Sequence, residues 1–294
     1  MKPAMPIHSR TRYRDDLVSI LNFSIASVEN ETIATHCREF LAREEACAVA
    51  DPDLAFLLNW VQCGRGGQQL TVISVVCPDY AVEATADGQF RYTFGTINAG
   101  IGVAGRRIFR SLSSVDRFLR DQLGLTALSY EVYVGDFEGF SEQNLTRVGI
   151  SEREFEAKTL GQRESLEREA PFPVVARLFS ERCAGKSGWL RELNRMRIRL
   201  AEPDIRVSLN RQLIRDIAWE RRALYERLFA EEQAQPAVIE MLIELQAAEY
   251  AVIGELVVRD KANPLLLVAG SEKLSRFYGL ASRTPILCLR AENI

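Results

Sequence analysis

Apolar positions recur along this chain with two different periods, and the alternation between them sets the expected fold. Leu17, Ile20, Leu21, Ile25 and Val28 fall at three- and four-residue steps, so a helix is expected from Asp16 to about Arg43. Asp51-Pro52-Asp53 caps a second helix, Leu54 to Gln62, which ends at Gly64-Arg65-Gly66-Gly67. Leu70 to Val76 is a compact, β-branched run of strand length. Phe90 to Phe94 alternates like a short half-exposed strand after the turn Asp87-Gly88. Ile101 to Gln122 returns to helical spacing, with Val103, Ile108, Leu112, Val115 and Leu119 facing inward. Ser129 to Val134 is a second core strand, and it stops at Gly135-Asp136-Phe137-Glu138-Gly139. Polar helical segments are expected at Ser151–Glu169 and Val174–Glu181, then a basic region from Arg191 to Arg227. A long helix from about Pro236 to Val258 precedes two late buried strands, Pro264–Val268 and Pro285–Leu289.

Core strands separated by helices predict an α/β, Rossmann-like fold with a mainly parallel sheet flanked by helices. Residues 1–69 form an N-terminal helical lead-in packed on the core. Residues 70–294 are expected to form a Rossmann-like catalytic domain, with a helical, Arg-rich region at about 174–235. The charge of −3 supplies no global field for capturing nucleic acid or acidic membranes. Cysteines at 37, 47, 63, 77, 183 and 288 form no C-x-x-C pair, and the histidines are His8 and His36 alone. This is neither a disulfide framework nor a zinc pattern, and the thiols read as small buried hydrophobes in a reducing compartment. No apolar run approaches the roughly 18 residues of a membrane span, so the expected location is the cytoplasm. No cofactor and no metal are expected.

In a parallel sheet, ligands bind just beyond the carboxyl ends of the strands. Asp79 and Tyr80 follow the first core strand, and Asp136 and Glu138 follow the next. Carboxylates there can hold an ammonium group or serve as general bases, and Tyr80 can donate a hydrogen bond. The same acids also fit ordinary turn chemistry, in which Asp bonds its own backbone. Gly100-Ile101-Gly102-Val103-Ala104-Gly105 matches G-x-G-x-x-G, so Gly100 and Gly102 are candidates for cradling a phosphate at a helix start. The segment before it, Gly95-Thr96-Ile97-Asn98, is too polar for the buried strand of a dinucleotide fingerprint. Arg195, Arg197 and Arg199 alternate as on one face of an extended segment. Tyr250, in Glu249-Tyr250 on the late helix, is a candidate pocket hydroxyl, and Lys273 and Arg276 are candidate anion contacts beyond a late strand. Two histidines near the start make a His-dependent triad improbable.

The order of these features resembles the isonitrile synthases of the pyoverdine/dityrosine biosynthesis family. The likeness is carried by Pro78-Asp79-Tyr80, Val134 to Phe140, Gly149 to Glu156, Glu249-Tyr250, Ser271-Glu272-Lys273 and Thr284-Pro285. It implies a biosynthetic enzyme of secondary metabolism that converts an amino acid's amino group to an isonitrile, with a pentulose phosphate as carbon donor. On that likeness Asp136 and Glu138 orient substrate or move protons, Lys273 and nearby arginines receive the phosphate, and Tyr80 bonds the intermediate. The chain is also similar to cyclodipeptide synthases in its strand–helix–strand opening, basic helical region, and late helix with Tyr250 and Glu255. Those enzymes use aminoacyl-tRNA and a serine nucleophile near the end of the first strand; no such serine is evident here. The expected partner is thus a small molecule, an amino acid or sugar phosphate, with tRNA as the alternative and no membrane. A non-catalytic α/β binding module is the third reading.

Overall fold

A computed structural model of the protein describes residues 28–43, 46–48, 51–78, 81–84, 90–93, 102–142, 145–146, 149–202, 205–228, 235–270, 272–279 and 284–290. The helices of the first part are α1 (Val28–Arg43), α2 (Asp51–Arg65) and α3 (Gly102–Arg117), the last continued by a π-helical turn, Phe118–Gln122. Those of the second part are α4 (Glu152–Glu169), α5 (Ser180–Cys183), α6 (Gly185–Ala201), α7 (Ile205–Leu228), α8 (Pro236–Val258) and α9 (Glu272–Ser275). The strands are β1 (Ala46–Ala48), β2 (Leu70–Val76), β3 (Ala81–Ala84), β4 (Phe90–Thr93), β5 (Leu128–Val134), β6 (Val175–Leu178), β7 (Pro264–Gly270) and β8 (Ile286–Arg290). Short 3-10 turns occupy Asp136–Phe140 and Arg276–Gly279.

Six strands form the main sheet in the order β1-β8-β7-β2-β5-β6, while β3 and β4 make a separate hairpin. The strands from β8 to β6 are mutually parallel, and β1 closes one edge antiparallel to β8. The chain moves outward from β2 through β5 to β6, then returns to the other side of β2 as β7 and β8. This is the Rossmann-like arrangement, and its reversal point lies at the carboxyl end of β2.

Alternation within the strands shows why the core runs are continuously apolar. Val72, Val132, Val134, Leu265 and Leu267 face one layer, which holds Phe40, Trp60, Leu112 and Leu119. Ile73, Tyr133, Leu266 and Val268 face the other, against Trp189, Met196, Val252 and Leu256. A strand buried on both faces has no position left for a polar residue to reach water. Truncating a fully enclosed leucine such as Leu267 to alanine would cost about 2–5 kcal/mol.

Three local expectations are corrected. Val174–Glu181 does not run as a helix: Val175–Leu178 pairs with Glu131–Val134 as an edge strand. Pro171 and Pro173 favour extended backbone immediately upstream, and sheet pairing overrides the helical pattern. The outward N–H groups of Ala176 and Leu178 donate to the carboxylates of Glu167 and Glu181, at 3.1 and 3.5 Å, so side chains cover this edge. Arg195, Arg197 and Arg199 lie on helix α6 and not on an extended segment. Arg195 pairs with Glu192 and Glu255, and Arg199 with Glu255. Finally, residues 46–48, inside the N-terminal segment expected to be helical, form β1 and join the sheet beside β8. The indole N–H of Trp60 also donates to the Asn263 carbonyl at 2.6 Å, tying α2 to the start of β7.

Candidate functional site

Strands β2 and β5 end at the same level, with Val76 opposite Val134, and the Gly135 N–H donates to the Val76 carbonyl at 2.8 Å. Cys77 and the Asp136–Phe140 turn therefore leave the sheet side by side. Beyond that point the two acids of the turn part company.

Asp136 turns toward α5. Its Oδ1 accepts the Ser180 N–H at 2.8 Å, which caps that short helix. Burial pushes its carboxyl above the ordinary value, while the Ser180 hydrogen bonds oppose the shift. With Phe140, Phe155, Thr159, Leu178 and Ser180 it lines a cavity of about 210 Å3.

Glu138 turns the other way and meets four groups that local sequence does not connect. The Cys77 thiol donates a hydrogen bond to its carboxylate. Glu249 lies close enough to feel its charge, and Tyr250 and Tyr278 complete the group. Residue Cys77 reaches the surface, while protein enclosing its thiol pushes the pKa well above the usual value, and the charges of Glu138 and Glu249 push the same way. Burial, then the charge of Glu138, raises Glu249 to about 8, so it is mostly protonated at pH 7. Glu249 is therefore the neutral partner of this pair at pH 7, set against the charge of Glu138.

The tyrosines form one wall. Their rings stack at 4.6 Å and 17°, and burial raises both phenols. A glycine makes this packing available: a Cβ on Gly254 would stand 2.2 Å from the Tyr278 carbonyl oxygen. Gly254 follows Tyr250 by one helical turn, so α8 bears the tyrosine and the slot that admits its partner. Arg221, bonded to Gln246 at 3.1 Å, opposes the rise of the Tyr250 phenol.

Of the residues singled out in the sequence, Glu138 and Tyr250 share this cluster. Asp136 does not. Lys273 forms an ion pair with Glu220, and Arg276 is exposed on the 3-10 turn after α9. Gly102 opens α3 as expected, whereas Asp79, Tyr80 and Gly100 lie outside the described residues. Cys77, Glu249 and Tyr278 were not among the candidate residues. Cys77 offered one signal, its place directly after an apolar strand, and the exposure of that residue corrects the reading of all thiols as buried hydrophobes. Tyr278 offered none.

Among the described residues no group of His, Cys, Asp or Glu is placed to hold a metal ion, and no helix is long and apolar enough to cross a membrane. No protein-family model and no curated protein matches the chain. Among solved structures, tryptophanyl-tRNA synthetase from Giardia lamblia is similar at 11% identity with a TM-score of 0.39, over 91% of this chain and 67% of that one. A likeness so slight carries no functional argument.

Proposed function

We propose that the chain is a biosynthetic enzyme acting on an amino acid or amino-acid-derived metabolite, and that it transfers an acyl group through the Cys77 thiol. The observation that supports this is the meeting of a thiol on an exposed residue at the strand end, a carboxylate hydrogen-bonded to it, and a second carboxyl group that keeps its proton at pH 7.

The chemistry follows from those charges. As sulfur attacks the carbonyl carbon of an activated aminoacyl ester, the thiol proton passes to Glu138. The tetrahedral intermediate collapses, the carbon–oxygen bond of the ester breaks, and the departing oxygen takes the proton of Glu249. An amine then attacks the thioester and gives its proton to the Glu249 carboxylate, while the released sulfur recovers its proton from Glu138. Both carboxyl groups end as they began. Positioned acid–base groups of this kind contribute roughly 10²–10⁴-fold each.

Of the two family likenesses, this arrangement favours the cyclodipeptide synthases, with a thiol at the first strand's end in place of the serine. The pentulose-phosphate reading draws less support, because Lys273 is already paired with Glu220.

The decisive experiment is intact-mass spectrometry after acid quenching of the protein mixed with aminoacyl-tRNA or with chemically activated aminoacyl esters. The expected result is one aminoacyl increment on Cys77, lost in Cys77→Ala and retained as an ester in Cys77→Ser. Absence of any adduct, with melting unchanged by amino acids and donors, would leave the non-catalytic binding module.

A further inference from the structure

The cavity of about 210 Å3 beside Asp136 has no part in the chemistry assigned to Cys77, yet its lining is selective. Its floor is built by Gly139 and Phe155, both buried, which approach so closely that a Cβ on Gly139 would stand 2.5 Å from the Phe155 ring. Phe140 and Leu178 add half-buried apolar walls. The first turns of α4 form the mouth. Ser151 caps that helix by accepting the Glu154 N–H at 3.2 Å, and Glu152 and Glu156 follow one turn apart on the face that lines the cavity. Both glutamates are exposed.

Three carboxyl groups line this space, and no lysine, arginine or histidine does. At the buried end Asp136 accepts the Ser180 N–H at 2.8 Å, but burial and the charge of Glu181 push its carboxyl above the ordinary value. At the mouth, Glu152 and Glu156 form no ion pair among the described residues. The three acids do not converge, because among the described residues no group of His, Cys, Asp or Glu is placed to hold one metal ion. A point charge seated at either end leaves the other end unanswered. The aromatic surface between them favours an apolar body over water.

We infer that this cavity binds a short aliphatic diamine or polyamine. One ammonium sits at Asp136, the methylene chain lies against Phe140, Phe155 and Leu178, and the second ammonium meets Glu152 and Glu156 at the mouth. Each ammonium carries three donors, and charge-assisted bonds to carboxylates are the strong kind. The volume suits such a molecule, being below that of pockets for drug-sized ligands. A neighbouring cavity of about 380 Å3 shares Gly139 and Glu152 with it, and there Glu142 and Glu152 outnumber the cation, Lys186. A longer polyamine can therefore extend outward without meeting net positive charge. A free amino acid fits less well, because its carboxylate would stand among acids.

Isothermal titration calorimetry of the full chain with butane-1,4-diamine tests this. One diamine per chain is expected, bound at least about tenfold more tightly than butan-1-amine, with no heat from butane-1,4-diol. Asp136→Asn, whose amide oxygen can still accept the Ser180 N–H, should weaken the diamine about tenfold or more. Glu152→Gln with Glu156→Gln changes exposed positions only, so the fold is kept, and it should reduce the diamine to the affinity of the monoamine. Cys77→Ala should leave the titration unchanged, so this result and the acyl-transfer proposal stand or fall separately. Absence of binding by the wild type overturns the inference. So does a diamine held no better than the monoamine, a diamine displaced by an equal concentration of magnesium, or an affinity indifferent to the carboxyl substitutions.

Discussion

Asp136 and Glu138 stand two residues apart in one 3-10 turn and live in opposite worlds. Asp136 is tied to the Ser180 N–H and joins two elements of the fold. Glu138 faces Cys77 and a second carboxyl group, an arrangement no fold needs. Glu131, on the strand that leads into this turn, is held more fully than Asp136. Lys261 donates to both its oxygens at 2.6 and 2.7 Å, and the Tyr133 hydroxyl donates at 2.8 Å. Burial pushes the Glu131 carboxyl up, but those partners outweigh it and hold it below the ordinary value. On the proposed function, a carboxylate surrounded by donors serves stability, while one set against another acid is the one placed to move protons.

Substitutions can break or sharpen that contrast. The largest effect is expected from Glu138→Gln, which should slow aminoacyl capture on Cys77 by about 10²–10⁴-fold in quenched-flow mass spectrometry while the protein stays folded. Retained capture would merge Glu138 with the structural acids. Lys261→Met leaves the half-buried Glu131 with only Tyr133 and Arg177 and should lower unfolding stability by about 1–3 kcal/mol in urea titration. Glu249→Gln should do the reverse. The folded-state value near 8 lies above the ordinary carboxyl value, so folding favours the protonated form. That contribution is whole below the ordinary carboxyl range and is lost as pH rises toward 8. At pH 7 the glutamine variant should therefore be more stable by an amount on the order of 2–3 kcal/mol, with a flatter stability profile between pH 5 and 8. Asp136→Ala removes a cap and should cost about 1–2 kcal/mol in urea titration, with capture kept within about threefold. Last, Glu138→Gln should speed iodoacetamide alkylation of Cys77 at pH 8, because one cause of its raised pKa is gone. An unchanged alkylation rate would separate the two groups.

The sheet was legible where burial on both faces forces an apolar run. Leu70–Val76 matches the expected strand, and Pro236–Val258 matches the expected helix. Val175–Leu178 was not, because four residues beside two prolines become a strand only through the neighbour they pair with. The site was half legible. Glu138 and Tyr250 sit in recognisable places, a strand-end turn and a late helix. Their meeting depends on the return of the chain to the far side of β2 and on Gly254 admitting Tyr278, which no spacing along the chain encodes. Asp136 does two things at once, capping α5 and lining the cavity of about 210 Å3, and an acid after a strand reveals neither in advance.

The carboxylates of Glu167 and Glu181 over the β6 edge decide how this protein can grow. With those amides occupied, a neighbouring chain finds no hydrogen-bond template there, so the sheet ends within one molecule.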